Sequence, residues 1–203
     1  IDHQGPVIAL GIFDQIANDI KPHDPEGILE PIWLNSRGAI ARFDRGAIEI
    51  RVLDVQECPE SDLAIASLII NALKLLVEEY FVPLEEQKKF KTESLAAIFK
   101  QVIKSGEHTV IDNTDYLKAF GLNAVDEMTA VEIWHFISRK IDRKYPQALD
   151  HWRDELTLLF DEGTLSTRIL NALETNLEFE NLKMVYSELC DCLENNQMLR
   201  ECL

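Results

Sequence analysis

The sequence predicts an α+β fold, in which antiparallel strands with flanking helices are followed by a mostly helical C-terminal lobe. The run "AIEIRVLD" (residues 47–54) alternates apolar and polar side chains, as a strand does, and an extended stretch precedes it. Beyond it, apolar residues recur at helical spacing through almost all of the chain. We therefore expect a first α+β part over residues 1–82 and a helical lobe over residues 83–203.

The first part opens with a helical pattern over residues 5–20, which ends in the proline- and glycine-rich "KPHDPEG". In the strand that follows, side chains alternate between two faces. The apolar face holds Ile48, Ile50 and Val52, and the other face carries Glu49 and Arg51.

A helix is expected from about residue 61 to residue 81, where apolar residues share one helical stripe. That stripe consists of Leu63, Ala66, Ile70, Leu73 and Val77. Further helices are expected near residues 92–104, 126–144, 149–160, 164–176 and 180–198.

The composition excludes several classes of partner. The formal net charge is −16, from 36 acidic and 20 basic residues, so the overall field opposes nucleic acid and anionic membranes. No apolar run is long enough to span a bilayer. The four cysteines form no C-x-x-C pair and no zinc set with histidine, which favours unpaired thiols and a reducing, cytoplasmic setting.

Four arginines stand out against this acidic background: Arg37, Arg42, Arg45 and Arg51. This locally positive stretch suits a small anion such as phosphate or carboxylate. Arg45-Gly46 is a usable two-residue hairpin turn, which would place Arg42 opposite Glu49, with Arg42, Glu49 and Arg51 on one face.

Two interpretations of this face stay open on geometry alone. One is a cross-strand ion pair facing solvent, with a contribution to stability of roughly 0–1 kcal/mol. The other is a binding site, in which the carboxylate holds a divalent cation and the guanidinium groups bind phosphate oxygens.

The stretch "ARFDRGAIEIRVLDVQECPESDLAIASLIINAL" (residues 41–73) resembles the type 2 glutamate–cysteine ligases, or carboxylate–amine ligases, whose catalytic fold is similar to that of glutamine synthetase. The shared strand motif E-x-R-x-x-D falls on Glu49, Arg51 and Asp54, and the upstream arginine pair falls on Arg37 and Arg42. The segments "EGTLSTRIL" and "VYSELCDCLENNQ" look like the tail of longer family members. Many members would carry a threonine where this chain has an alanine, at residue 47.

The resemblance implies a role for each charged residue of the strand pair. Glu49 would bind Mg²⁺ (or Mn²⁺), while Arg51 and Arg42 would be catalytic and contact the acyl phosphate or the glutamate substrate. Arg37, Arg42 and Arg45 would contact the phosphates of ATP. The implied reaction joins glutamate to an amine such as cysteine through an acyl phosphate.

The chain begins without methionine inside a helical pattern, so we expect a C-terminal portion of a longer ligase, inactive by itself. A homo-oligomer stays open. The alternative is a non-catalytic helical interaction module, which the dense amphipathic pattern from Thr92 to Leu203 favours. A phosphagen-type kinase is a weaker option, because no cysteine is well placed for it.

Overall fold

The computed structural model describes residues 7–29, 38–42, 45–174 and 176–200, without the side chains of residues 7–13 and 41. The chain forms two compact units, Ile1–Asp54 and Val55–Leu203. Mixed helix and strand confirm the α+β class. The units meet at residues 54 and 55, whereas the division at residues 82 and 83 concerns the end of a catalytic domain and stays a prediction.

The first unit contains helix α1 (Val7–Ile20), a 3-10 turn (Lys21–His23) and strands β1 (Ala39–Arg42) and β2 (Ala47–Ile50). The strands pair antiparallel, with Ile40 opposite Glu49 and Arg42 opposite Ala47. Strand β2 therefore ends earlier than the alternating run in the sequence. On its predicted apolar face, the side chain of Ile48 is 62% exposed.

The second unit is mostly helical. Its helices are α2 (Pro59–Val77), α3 (Leu84–Gln87), α4 (Thr92–Ser105), α5 (Thr114–Ala119), α6 (Ala130–Lys144), α7 (Arg153–Glu162), α8 (Leu165–Leu173) and α9 (Phe179–Asn195). A small antiparallel sheet pairs β3 (Val110–Ile111) with β4 (Met128–Thr129), which the sequence analysis did not predict. No helix in the described ranges has both the length and the apolar character needed to cross a membrane.

The core of the second unit is an apolar cluster that includes Leu75 of α2, Leu117 of α5 and Ile141 of α6, all fully buried. Helix α6 begins with a capping box. The Thr129 hydroxyl accepts from the backbone N–H of Glu132, and the Glu132 carboxylate accepts from the backbone N–H of Thr129. These local signals explain why the helical periodicity located this part of the fold correctly.

Helix α2 is apolar on more than one side. Its buried side includes Ala64, Leu68 and Leu75. Most of the predicted stripe lies on the exposed side, where Leu63, Ile70 and Val77 are 53%, 52% and 80% exposed. The prediction of a helix is confirmed, but the stripe chosen from the sequence is not the one that packs into the core.

Candidate functional site

The predicted site residues that the structure describes form a compact charged group on the strand pair. Arg42, the last residue of β1, donates from Nη1 to Oε2 of Glu49 on β2 at 2.7 Å. Arg51, just beyond β2, donates from Nε to Oε1 of Glu49, also at 2.7 Å. We call Arg42, Glu49 and Arg51 the arginine–glutamate cluster.

The backbone places these side chains together although the predicted register is wrong by two residues. Four residues connect the strands instead of two, so Glu49 lies opposite Ile40 and diagonally across from Arg42. Diagonal neighbours on one face are about 7–8 Å apart at their backbones, a gap that long side chains span. The shift is an even number of residues, so the predicted shared face is confirmed.

The ends of the strand pair are fixed by backbone contacts. The N–H of Arg45 donates to the carbonyl of Arg42 at 3.0 Å, and the N–H of Arg51 donates to the carbonyl of Gly38 at 2.8 Å. Gly46 has a φ of +59°, a left-handed conformation that favours glycine at this connection. On the same face as the cluster, directly opposite Glu49, the side chain of Ile40 is buried.

The electrostatics of the cluster favour an ionised carboxylate. The hydrogen bond from Arg42, followed by that from Arg51, holds the pKa of Glu49 below its usual value, against a smaller opposing effect of burial. The side chains of Arg42, Glu49 and Arg51 remain 17%, 35% and 28% exposed, so a ligand can reach them. Two guanidinium groups converge on one carboxylate, and the guanidinium group is a common binder of anionic oxygens.

The carboxylate and the guanidinium groups of the cluster are of the kinds that bind a metal ion and its phosphate ligand. A carboxylate has about four lone-pair positions and a guanidinium five N–H donors, so each can bind a further group while the ion pairs persist. Mg²⁺ is commonly held by one or two carboxylates together with substrate phosphates. Across the described ranges, no three His, Cys, Asp or Glu side chains are placed to hold a metal together, and Glu49 is the carboxylate of the cluster that would contact one.

The remaining residues of the arginine set and the strand motif fall at the connection between the strands, beyond β2 or outside the described residues. Arg37 falls outside the described residues, and Arg45 is exposed at the connection between the strands. Asp54 is exposed at the end of the first unit. The roles of Arg37 and Arg45 toward ATP stay predictions.

Sequence reasoning missed a buried ion pair in the second unit. Nη1 of Arg168 donates to Oε1 of Glu57, and both side chains are fully buried. The same nitrogen donates to the carbonyl of Leu199 at 2.7 Å, and Oε1 of Glu57 accepts from the N–H of Leu199 at 3.0 Å. The other polar atoms at this pair, Oε2 of Glu57 and Nη2 of Arg168, are buried without a partner in the described chain.

The burial of Arg168, and not its place in the sequence, is what points to an acidic partner. Arg168 lies within "EGTLSTRIL" and is, with Leu173, one of the buried residues of α8. An arginine is rarely buried unless it is paired, so its burial demands an acidic partner. The sequence does not say which of its many acidic residues that partner is.

Two clefts also open on the second unit. One, of about 700 Å³, lies between the start of α2 and the end of α9 and is lined by Glu60, Asp154, Glu155, Glu188 and Asp191 together with three sulfur-containing side chains. We call it the acidic cleft. The other, of about 600 Å³, carries Lys89, Lys91 and Lys118.

Comparison with known proteins finds one distant relative of the chain. No protein-family model matches the chain. It is 28% identical over 172 residues to an uncharacterized protein of Archaeoglobus fulgidus, a match that covers 82% of this chain and 37% of the relative. The chain thus spans little more than a third of the length of that protein. No solved structure matches.

Proposed function

We propose that this chain is part of an ATP-dependent carboxylate–amine ligase, similar to the type 2 glutamate–cysteine ligases. The observation that carries the proposal is the arginine–glutamate cluster. Glu49 and Arg51 of the strand motif and the upstream Arg42 lie on one face, with each arginine within hydrogen-bond distance of Glu49. In this proposal, β1 and β2 belong to a glutamine-synthetase-like catalytic sheet.

The chemistry of such a ligase suits residues of this kind. Activation of a carboxylate by ATP places negative charge on the transferred phosphoryl group, and preorganised guanidinium groups stabilise that charge. Arg42 and Arg51 would bind phosphate or glutamate oxygens, and Arg37 and Arg45 would add contacts to ATP. Glu49 fixes the orientation of both guanidinium groups of the cluster and would hold Mg²⁺. When bound, Mg²⁺ would neutralise phosphate charge.

The contribution of these ion pairs to stability is too small to explain why two arginines contact Glu49. Partly exposed ion pairs contribute roughly 0–1 kcal/mol each, so the bonds to Glu49 add little to stability. Guanidinium groups held on one face present planar sets of N–H donors that match phosphate and carboxylate oxygens, which suits an anionic ligand.

The test is an assay of the full-length protein with glutamate, ATP and Mg²⁺. Hydroxylamine traps the activated carboxylate as a hydroxamate, and ADP release with different amines identifies the acceptor, with cysteine as the first candidate. We expect Arg51→Lys to lower activity strongly, because lysine keeps the charge but loses the planar fork. Glu49→Gln should lower it too, because the guanidinium groups lose their fixed orientation.

The matched control is Arg139→Lys, at an exposed position on α6. It makes the same chemical change away from the cluster and should leave activity unchanged. Full activity in both Arg51→Lys and Glu49→Gln would reject the assignment of the site. Absence of hydroxamate with hydroxylamine and of ADP release with every amine tested, together with absence of ATP binding at millimolar concentration, would reject the ligase itself.

A non-catalytic interaction module is the second candidate, and the exposed stripe of α2 favours it. Leu63, Ile70 and Val77 lie one above another on a side of the helix that the second unit leaves exposed. If this candidate is correct, the full-length protein forms a stable protein complex and binds no ATP. Replacement of Ile70 by lysine should then abolish the complex without unfolding the protein.

A further inference from the structure

The stretch of chain that follows α9 is anchored at one buried residue. We call residues 197–200 the Leu199 segment, and it contains neither helix nor strand. Leu199 is 1% exposed, whereas Gln197 and Arg200 are exposed and Met198 is half-buried. The segment is therefore attached to the second unit in the way that a short bound peptide is attached, through a single anchor side chain and the backbone beside it.

Both backbone groups of the anchor residue are bound by buried charged side chains. Nη1 of Arg168 donates to the carbonyl of Leu199 at 2.7 Å, and Oε1 of Glu57 accepts from the N–H of Leu199 at 3.0 Å. The two side chains come from different elements, since Glu57 precedes α2 and Arg168 lies in α8. In peptide recognition, hydrogen bonds to the main chain supply affinity and a side-chain pocket supplies specificity. Leu199 receives both.

The ion pair is arranged around this peptide group. Arginine and carboxylate often meet through two parallel hydrogen bonds, but Arg168 and Glu57 use only Nη1 and Oε1, the same two atoms that bind Leu199. Nη2 of Arg168 and Oε2 of Glu57 are buried without a partner among the described residues. Nε of Arg168 donates to the carbonyl of Gly163 at 3.3 Å, which fixes the guanidinium plane. The pair thus presents one donor and one acceptor to a backbone.

The position of the Leu199 segment allows it to leave this site. Asn196, with a φ of +52°, ends α9, so the segment can move without any helix being unwound. Gln197, Met198 and Arg200 line the acidic cleft, so one side of the segment faces an open space of about 700 Å³. Segments with few buried contacts open locally, at a lower free energy than the whole domain.

We propose that Glu57, Arg168 and the pocket around the Leu199 side chain form a peptide-binding site. The chain's own Leu199 segment occupies the site and can detach from it. The vacated site takes an extended peptide with leucine at the anchor position, because the two charged side chains bind backbone groups and the pocket fits that side chain. The inference does not depend on the proposed ligase activity.

The first test is native-state hydrogen exchange of the whole chain at urea concentrations below the unfolding transition. The N–H of Leu199 should be protected but should exchange by local opening, at a free energy that does not change with urea. The N–H of Ile141, in the core of α6, should exchange only by global unfolding. If Leu199 shows the urea dependence of Ile141, or no protection, the proposal is overturned.

The second test uses a fluorescent synthetic peptide of residues 195–200 and the whole chain with Leu199→Asp. An aspartate cannot stay buried beside Glu57, so the chain's own segment should leave the site. Apparent affinity falls with the fraction of sites that are vacant, so the peptide should bind this variant at least about tenfold more tightly than the wild type. Fluorescence anisotropy measures the affinity.

The matched control is Leu193→Asp, the same change at a position of α9 that is 60% exposed. It should bind the peptide as weakly as the wild type, and a peptide with aspartate in place of its leucine should not bind the Leu199→Asp variant. Absence of peptide binding to folded Leu199→Asp, or equal binding to Leu193→Asp, would overturn the proposal. If circular dichroism shows that Leu199→Asp does not fold, the hydrogen exchange of the wild type decides.

Discussion

Breaking the buried ion pair between Glu57 and Arg168 should strongly destabilise the protein. Arg168→Met keeps most of the side-chain volume but leaves the Glu57 carboxylate buried without its positive partner. Breaking a buried pair in this way costs about 3–5 kcal/mol. We expect the upper part of that range, because the carbonyls of Leu199 and Gly163 also lose the hydrogen bonds that Arg168 donates.

This loss is large compared with a typical total stability of about 5–15 kcal/mol. For a domain of roughly this size, each kcal/mol shifts the melting temperature by about 2–4 °C, so a fall of about 6–20 °C is expected. Urea denaturation measures the loss in the free energy of unfolding. Far-UV circular dichroism can follow the transition, because most of the helical signal comes from the second unit. A loss below about 1 kcal/mol would refute the reasoning, since that is the range of an exposed pair.

The double variant Glu57→Leu with Arg168→Met separates charge from packing. Replacing both partners of a buried pair by apolar residues is often close to neutral. We therefore expect the double variant to be more stable than Arg168→Met alone. If instead the two substitutions are additive, the damage comes from lost packing and not from an uncompensated charge.

Three further changes test other parts of the description. Gly163→Ala should destabilise the protein by more than Gly106→Ala. Both glycines have a positive φ, but at Gly163 the added Cβ would also displace the Glu107 carboxylate, which accepts hydrogen bonds from Thr164 and Thr167. Thermal melting of both variants measures the difference. In an NMR titration, the carboxylate of Glu49 should have a pKa below the usual glutamate range, and Arg42→Gln should raise that pKa. Any stabilisation by the ion pair should be lost as the pH falls through the lowered pKa. Thr129→Ala should cost about 1 kcal/mol in urea denaturation through loss of the helix cap, and Thr129→Ser should restore most of it.

The sequence allowed prediction of features that depend on near neighbours along the chain. Helices α4 and α6–α9 follow from the spacing of apolar residues, although the helix predicted at residues 126–144 ran through Thr129 and its cap was missed. The shared face of Arg42 and Glu49 follows from the alternation of a strand. The register of the strand pair could not be fixed in the same way, because Arg45-Gly46 is compatible with connections of more than one length.

Features that depend on residues far apart in the sequence could not be predicted. Glu57 and Arg168 are 111 residues apart, and neither carries a local mark of its partner. The buried side of α2 was also misjudged, because that helix has apolar residues on more than one side and periodicity cannot rank them. The strand β3 was missed because two residues are too few to show an alternation.

The register of β1 against β2 also has a consequence for how this hairpin can change over time. Because side chains switch sides at every step along a strand, inserting or deleting two residues within the paired part of a strand would preserve the grouping of Arg42 with Glu49, whereas inserting or deleting one there would separate them. Tolerated length variation at this hairpin should therefore occur in steps of two. Odd-numbered variants should survive only where a bulge elsewhere in the strands restores the alternation.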